Sequence, residues 1–443
     1  MSIFKAYDIR GLYGKDLTDE LAYKIGRAFV TFTGCRKVVV VRDIRPHSEP
    51  LFANLAKGIT EQGADVIDLG HGSTPMSYFA NGFCGADAGV MLTASHNPAP
   101  WNGFKLCRAN AVPISGVSGI KDIEKIVLDG SFAPKAAKPG TVSKFDILPE
   151  YTKHVRQFAH LTKPVHLAID FANGMGIWEA KTLVGLPLTW DALYDTPDGT
   201  FPNHEANPLN HETLEDLQKL IKANPGKYAF GVAFDGDADR AGFVDEKGEI
   251  IPMDLATALM AQDILQTRKG VIFYDLRSSW VVKEVIEAAG GTPMMSRVGH
   301  AFIKAQMREH DALFAGELSG HYYFKDNSTA ESSAMAVLAL ANMVSRTGKP
   351  LSELVAPLRK YFASGEINTH VSRDPKDILA EIRTTYGSAG KLIELDGVSV
   401  EFADWWFNVR CSNTEPLVRL NLEAKSPELM ASKRDELLAI IRR

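Results

Sequence analysis

The sequence predicts an α/β protein: three similar α/β domains with mixed sheets, followed by a smaller C-terminal α+β domain. Three observations lead there. At 443 residues the chain is too long for a single hydrophobic core. Strand-like and helix-like patterns alternate along most of its length, as they do in α/β folds. Asp43-Ile44-Arg45 and Asp275-Leu276-Arg277 fall at matching points of two such units, a weak internal repeat.

Residues 37–41 form a β-branched strand, residues 51–62 a helix ended by Gly63, and residues 64–69 the next strand. Residues 88–92 are a further apolar run. The plan recurs with a strand at 166–170, a tight turn at Gly174-Met175-Gly176 and a helix at 177–184. Leu214, Leu217 and Ile221 mark one face of a helix that stops near Asn224-Pro225-Gly226, and residues 228–234 read as a strand. It recurs again as strand 271–274, helix 280–289, Gly290-Gly291 and strand 293–296. Residues 131–144, rich in Pro, Gly, Ala and Lys, link or close the first unit, and residues 364–375 separate the third from the tail. The tail reads as a helix at 377–386, strands at 398–402, 406–409 and 418–423, and a helix from Pro427. The expected domains are residues 1–145, 146–248, 249–366 and 367–443.

Composition excludes several classes. Hydrophobic residues make up 45% and charged residues 23%, which places the chain with ordinary soluble globular proteins. The net charge of -5 and the lack of a Lys/Arg block argue against a nucleic-acid partner. The start lacks the charged and apolar regions of a secretory signal. No apolar run is long enough for a bilayer, and residues 334–344 read as a buried helix, so no membrane partner is expected. Cys35, Cys84, Cys107 and Cys411 are scattered, as suits small buried thiols in a reducing cytoplasm.

Four segments carry chemistry. Thr93-Ala94-Ser95-His96-Asn97-Pro98 follows the apolar run 88–92, which places Ser95 on a loop at a strand's carboxyl end, where open α/β sheets bind ligands. A serine hydroxyl is a weak nucleophile and needs a base, a metal or both. In Asp235-Gly236-Asp237-Ala238-Asp239-Arg240, alternate spacing on extended backbone would aim Asp235, Asp237 and Asp239 the same way. Three hard carboxylates suit Mg²⁺. An EF-hand is the rival reading, since Glu246 falls at its twelfth position. Arg240, however, stands where that loop needs glycine. Arg240 beside three carboxylates makes sense if the site also holds a phosphate. In Gly316-Glu317-Leu318-Ser319-Gly320-His321, Glu317 can accept from two adjacent sugar hydroxyls and Ser319 can add a contact. His321 is a candidate general acid or base. The fourth segment is Arg410-Cys411-Ser412-Asn413-Thr414-Glu415-Pro416.

These four segments, in this order and at these separations, resemble the α-D-phosphohexomutase family, and in detail its phosphomannomutase branch. The resemblance covers essentially the whole chain. It implies an enzyme that moves phosphate between O6 and O1 of a hexose through phosphorylated Ser95 and a hexose 1,6-bisphosphate. Small-molecule sugar phosphates are then the partners, and Mg²⁺ and the bisphosphate activator are the cofactors. Ser95, Asp235, Asp237 and Asp239 would hold the metal in an interdomain cleft. Arg10, in Tyr7-Asp8-Ile9-Arg10-Gly11, and Lys105 would lie beside the phosphoserine, together with His96 and Arg240. Glu317 and Ser319 would form the sugar loop, with Tyr7, Arg277, Trp280 and His300 near the substrate. Arg410, Ser412, Asn413 and Thr414, with Arg419, would cradle the phosphate that is not being transferred. The chain departs from the family pattern at Val41-Arg42-Asp43-Ile44-Arg45-Pro46-His47-Ser48, at Pro100-Trp101 and at residues 326–331.

Overall fold

The computed structural model describes residues 2–411 and 417–443. Its first three sheets share one strand order. In the first, Lys37–Arg42 runs parallel to Asp65–His71 on one side and to Ala88–Leu92 on the other, and Ala88–Leu92 pairs antiparallel with Trp101–Arg108. In the second, Val165–Asp170 lies between Leu188–Leu193 and Phe230–Phe234, and Ala241–Asp245 is the antiparallel fourth strand. In the third, Val271–Asp275 lies between Thr292–Ser296 and Phe314–Gly316, and Tyr322–Phe324 follows antiparallel. The Ser95, Asp235 and Glu317 segments are therefore one and the same connection, made three times. Each joins the third parallel strand to the antiparallel fourth, outside the strand's carboxyl end.

The central strands are apolar throughout because both faces are covered. Val38, Val39, Val40 and Val41 are all buried. Ser48–Glu61, Gly176–Leu183 and Trp280–Ala288 are the crossover helices, within a few residues of the sequence reading. Leu214, Leu217 and Ile221 are buried as expected, although the first turn there, His211–Leu214, is 3₁₀. Ser333–Thr347 is the expected buried helix.

Several short strands had no legible pattern, among them Val142–Lys144, Ile367–His370 and Lys391–Ile393. Val142–Lys144 extends the first sheet along Asp65–His71, so the Pro- and Gly-rich stretch closes that sheet. All three of its residues are exposed, which leaves no apolar signal. Ile367–His370 lies inside the stretch read as a separator and pairs with Leu417–Leu420 of the tail. Lys391–Ile393 is an edge strand with no fully buried residue.

The tail is an antiparallel six-stranded sheet covered by Pro375–Tyr386 and Pro427–Ile441. One continuous cluster of buried apolar side chains runs through the first three domains, from Val39 and Met76 through Phe171 and Phe234 to Met335 and Leu338. Burial of each such side chain contributes roughly 1.5–3 kcal/mol, so this cluster fixes the three domains to one another. The tail has its own core, including Ile378, Phe407, Leu422 and Ile441. All four cysteines are free thiols. Among the described residues no helix is long and apolar enough to cross a membrane.

Candidate active site

Ser95 sits at φ 51°, a left-handed conformation uncommon for a residue with a Cβ. Arg45 holds it there. The Arg45 side chain is 0% exposed and its Nε pairs with Asp43 Oδ2 at 3.1 Å. Its Nη2 donates to the carbonyls of Ser95 (2.8 Å) and Asn97 (2.6 Å), and its Nη1 to those of Pro98 (2.8 Å) and Trp101 (2.9 Å). Ser48 Oγ donates to Asp43 Oδ1 at 2.7 Å and accepts from Asn102 at 3.0 Å. A strained residue persists where its surroundings over-determine it, and such residues cluster at functional sites. The Ser95 hydroxyl is buried, donates to Asp235 Oδ2 at 2.9 Å and lies 3.2 Å from His96 Nδ1. Burial, then the nearby Arg240 and Arg10 charges, hold His96 well below its ordinary pKa, which favours the neutral imidazole.

Asp235, Asp237 and Asp239 do converge, with one oxygen from each within 4.8 Å of the others. The reason differs from the sequence reading. Their backbone is a turn, not extended chain, and Ala238 takes φ 59°. Phe230–Phe234 must reverse direction into its antiparallel neighbour across residues 235–240, and straight chain cannot do that. Gly236 is required at the tip, because a Cβ there would lie 2.4 Å from the Ser95 carbonyl oxygen of the facing domain.

Lys105 Nζ bridges Asp237 Oδ2 (2.6 Å) and Asp239 Oδ2 (2.5 Å). Thr74, from the first domain, donates to Asp237 through Oγ1 (2.6 Å, to Oδ2) and through its backbone N–H (3.0 Å, to the carbonyl). Burial and the charges of Asp237 and Asp239 push the Asp235 carboxyl well above the usual range. For Asp239 burial acts the same way, but Lys105 and His321 outweigh it and hold this carboxyl well below that range. Asp237 Oδ1 is buried without a hydrogen-bond partner among the described residues. An orphaned carboxylate oxygen inside a triad of hard donors fits a divalent cation.

Arg10 reaches the same loop. Its Nε donates to Asp8 (2.8 Å) and its Nη1 to Asn97 Oδ1 (2.6 Å) and the Ala94 carbonyl (3.2 Å). Arg240 Nε lies 3.8 Å from Asp235 Oδ2 and 3.3 Å from His321 Nε2. His321 lies between Asp239 Oδ1 at 3.2 Å and Glu317 Oε2 at 3.1 Å. Burial disfavours the imidazolium, but Asp239 and Glu317 prevail and push His321 up to about 9. Ser319 Oγ is 2.8 Å from His321 Nδ1. Like the aspartate segment, residues 317–320 form a turn. Glu317 is buried, yet His321 and Tyr323 keep it ionised below the usual carboxylate range. It accepts from the Gly299 N–H (3.1 Å) and from Tyr323 Oη (2.6 Å). Tyr7 joins this group through Oη, which donates to the Val298 carbonyl at 3.1 Å, and through its ring, which faces His300 with centroids 5.9 Å apart. Burial and then Lys304 and Lys105 hold His300 well below its ordinary pKa.

A second cationic group joins the third domain to the tail. Arg277 pairs with Asp275 Oδ2 at 2.7 Å, and that same oxygen accepts the Leu318 N–H at 2.8 Å, which ties Arg277 to the Glu317 turn. Arg410 and Arg419 lie directly opposite each other on Trp405–Cys411 and Leu417–Ala424. Ser412, Asn413 and Thr414 lie outside the described residues. Trp280 uses its indole N–H on Glu401 of the tail at 2.9 Å. Sequence reasoning missed three residues that shape the site. Arg45 was visible only as half of a repeat, and nothing in the spacing signalled Thr74. Glu366 lay in a presumed separator.

Family models for the phosphoglucomutase/phosphomannomutase α/β/α domains I, II and III match residues 1–134, 149–248 and 252–361, and the C-terminal domain of the same family matches residues 366–440. A phosphomannomutase of Escherichia coli is 38% identical over 456 residues, covering 100% of this chain and 99% of the relative. One of Methanocaldococcus jannaschii is 41% identical over 447 residues, covering 100% and 98%. The crystal structure of a phosphoglucomutase/phosphomannomutase family protein from Burkholderia thailandensis is 33% identical. It superposes with a TM-score of 0.91 over 99% of this chain and 96% of that one. With all four domains matched in order, the chain belongs to the phosphoglucomutase/phosphomannomutase family and is a phosphohexomutase.

Proposed function

We propose that this phosphohexomutase is a phosphomannomutase, interconverting mannose 6-phosphate and mannose 1-phosphate. The observation that carries the mechanism is the Ser95 hydroxyl donating to Asp235 inside a buried carboxylate triad, across the boundary of two domains. The curated relatives named phosphomannomutase support the choice of sugar.

In this reading Ser95 carries the phosphoryl group. It gives the group to the sugar phosphate, leaving a hexose 1,6-bisphosphate, and takes back the other phosphate after the intermediate has turned over. Asp235, Asp237, Asp239 and an oxygen on Ser95 would hold Mg²⁺. Bound there, the ion supplies charge neutralisation for the transferring phosphoryl oxygens. Lys105, Arg10 and Arg240 surround the same group with donors. His321, held cationic by Asp239 and Glu317, can give a proton, and His96 lies beside the Ser95 hydroxyl. Glu317 and Ser319 hold sugar hydroxyls, flanked by Tyr7 and His300. Arg410 and Arg419, with Ser412, Asn413 and Thr414, grip the phosphate that is not being transferred, and Arg277 faces them. A trace of hexose 1,6-bisphosphate activates the enzyme by rephosphorylating Ser95.

One incubation tests this. With Mg²⁺, mannose 1-phosphate and a trace of bisphosphate, the expected product is mannose 6-phosphate. Free phosphate would make the protein a phosphatase, and binding without turnover a sensor. Ser95→Ala should lose at least about 10³-fold in turnover, because the covalent route is removed. Intact-mass analysis should show a phosphorylated fraction in the wild type that Ser95→Ala lacks.

A further inference from the structure

Three guanidiniums from two domains meet on one carboxylate. Arg410 Nη2 donates to Glu366 Oε2 at 2.9 Å, and Arg277 Nη1 reaches the same oxygen at 3.2 Å. Arg419 Nη1 lies 3.5 Å from Glu366 Oε1, and Asn421 Nδ2 lies 3.4 Å from Oε2. Burial would raise the Glu366 carboxyl, but Arg277, Arg410 and Arg419 hold it down to about 2. Arg410 and Arg419 are register partners on adjacent strands, where like charges repel. Two arginines face to face, with a third brought from another domain, form a group that is stable only around an anion. Asp275 serves Arg277 from within its own domain, and Glu366 is the anion that all three share. It stands in the irregular connection just before Ile367–His370, after Gly365 at φ 67°, outside the strands of the sheet.

We infer that Glu366 is an internal counterpart of the substrate's non-transferring phosphate, assembling Arg277, Arg410 and Arg419 and yielding guanidinium N–H groups to that phosphate when it arrives. The inference rests on the tail arginines being the phosphate cradle proposed above. Arg277 is already paired with Asp275, so Glu366 is the carboxylate that Arg277, Arg410 and Arg419 share, in the place a phosphate would take. The carboxylate and the phosphate seek the same N–H groups, so they compete. A further donor waits there: Arg410 Nε is buried and has no hydrogen-bond partner among the described residues. Competition suits the reaction. The cradle must release one phosphate of the bisphosphate and take the other within each turnover, and Glu366 gives the arginines a partner in between.

The test is titration of inorganic phosphate into the full-length chain, followed by calorimetry. Glu366→Gln keeps the shape and removes the competing charge, so phosphate should bind about 10-fold more tightly. Glu366→Asp should stay near wild type, and Arg410→Ala should bind at least about 10-fold more weakly. In turnover, Glu366→Gln should lower KM for mannose 1-phosphate and lower kcat with it, because release within the cycle slows. Unchanged or weaker phosphate binding by Glu366→Gln would overturn the inference. If Arg410→Ala bound phosphate as tightly as wild type, the cradle itself would be wrong. A loss in Arg410→Ala with no gain in Glu366→Gln would remove only the role of Glu366. A crystal structure of the wild type with phosphate gives a check that needs no variant. Glu366 should have left Arg410, and an Arg410–Glu366 pair intact beside bound phosphate would also overturn the inference.

Discussion

The Asp-x-Arg turns of the first and third domains begin as the same structure and end in opposite uses. In both, the aspartate accepts the backbone N–H of the arginine two residues on, at 3.1 Å for Asp43 and 2.8 Å for Asp275. In both, the arginine Nε returns to that aspartate at 3.1 Å. Arg45 then points inward and spends its remaining donors on the loop that carries Ser95. Arg277 points outward to Glu366 at the edge of the tail. The second domain keeps the turn without the arginine: Ala172 N–H donates to Asp170 Oδ1 at 2.8 Å, and Asp170 Oδ2 meets His204 Nε2 at 3.1 Å. The fold supplies the aspartate cap at the end of the strand. The next ionic partner decides whether a domain braces its own loop or reaches across the cleft.

Removing Arg45 should break the comparison most severely. Arg45→Ala takes the guanidinium from buried Asp43 Oδ2 and from the carbonyls of Ser95, Asn97, Pro98 and Trp101, although Ser48 still donates to Asp43 Oδ1. Stripping one partner from a buried pair costs about 3–5 kcal/mol. Chemical denaturation should show a loss of that order, and kcat should fall as the strained Ser95 turn relaxes. Arg45→Lys should rescue little, because an ammonium is a point donor and cannot serve two pairs of carbonyls as a planar fork does. Wild-type stability in Arg45→Ala would mean that the two turns do not differ in the way described.

Arg277→Ala should have a smaller and different effect. Asp275 keeps its N–H donor from Leu318, and among the described residues Arg277 braces no loop carbonyls as Arg45 does, so the loss of stability should be less than in Arg45→Ala. If Arg277 serves the substrate, losing a charge-assisted contact of about 1.5–3 kcal/mol raises KM by roughly 10- to 150-fold. The change should be alike in the forward and reverse directions, measured with each mannose phosphate. A fall in kcat at constant KM would place Arg277 with Arg45 as a brace.

The same contrast explains what the sequence made legible. Apolar runs buried on both faces, such as residues 38–41, declare themselves, and so do crossover helices with one buried stripe. Short exposed strands such as Val142–Lys144 do not, because no periodicity marks a strand that buries nothing. Among site residues, Ser95 and the three aspartates stood in ordered motifs. Their geometry was misjudged, since convergence came from a turn closed by Ala238 at φ 59° and not from strand alternation. Arg45, Thr74 and Glu366 act through partners far away in the chain. Arg45 acts on carbonyls of residues 95–101, Thr74 on Asp237, and Glu366 on Arg277 and Arg410. Local spacing holds no record of such pairings.

The second domain offers the smallest and most discriminating test of what the aspartate turn does when no arginine is present. Burial disfavours a charged His204, but the hydrogen bond and charge of Asp170 outweigh it and lift the imidazole above its ordinary 6.5. A histidine whose pKa rises on folding stabilises the protein fully below its unfolded value. That contribution is lost as pH rises through the folded value. The side chain is 16% exposed, and solvent screening limits the gain to less than about 1 kcal/mol. His204→Gln should therefore be less stable than wild type near about pH 6, and the gap should shrink toward about pH 9. Denaturant midpoints at both values would measure it, and mutase activity should stay close to wild type because His204 lies outside the site. A gap that did not change with pH would mean that Asp170 holds a neutral imidazole. The second domain would then lack the ionic closure that the arginines give the other two.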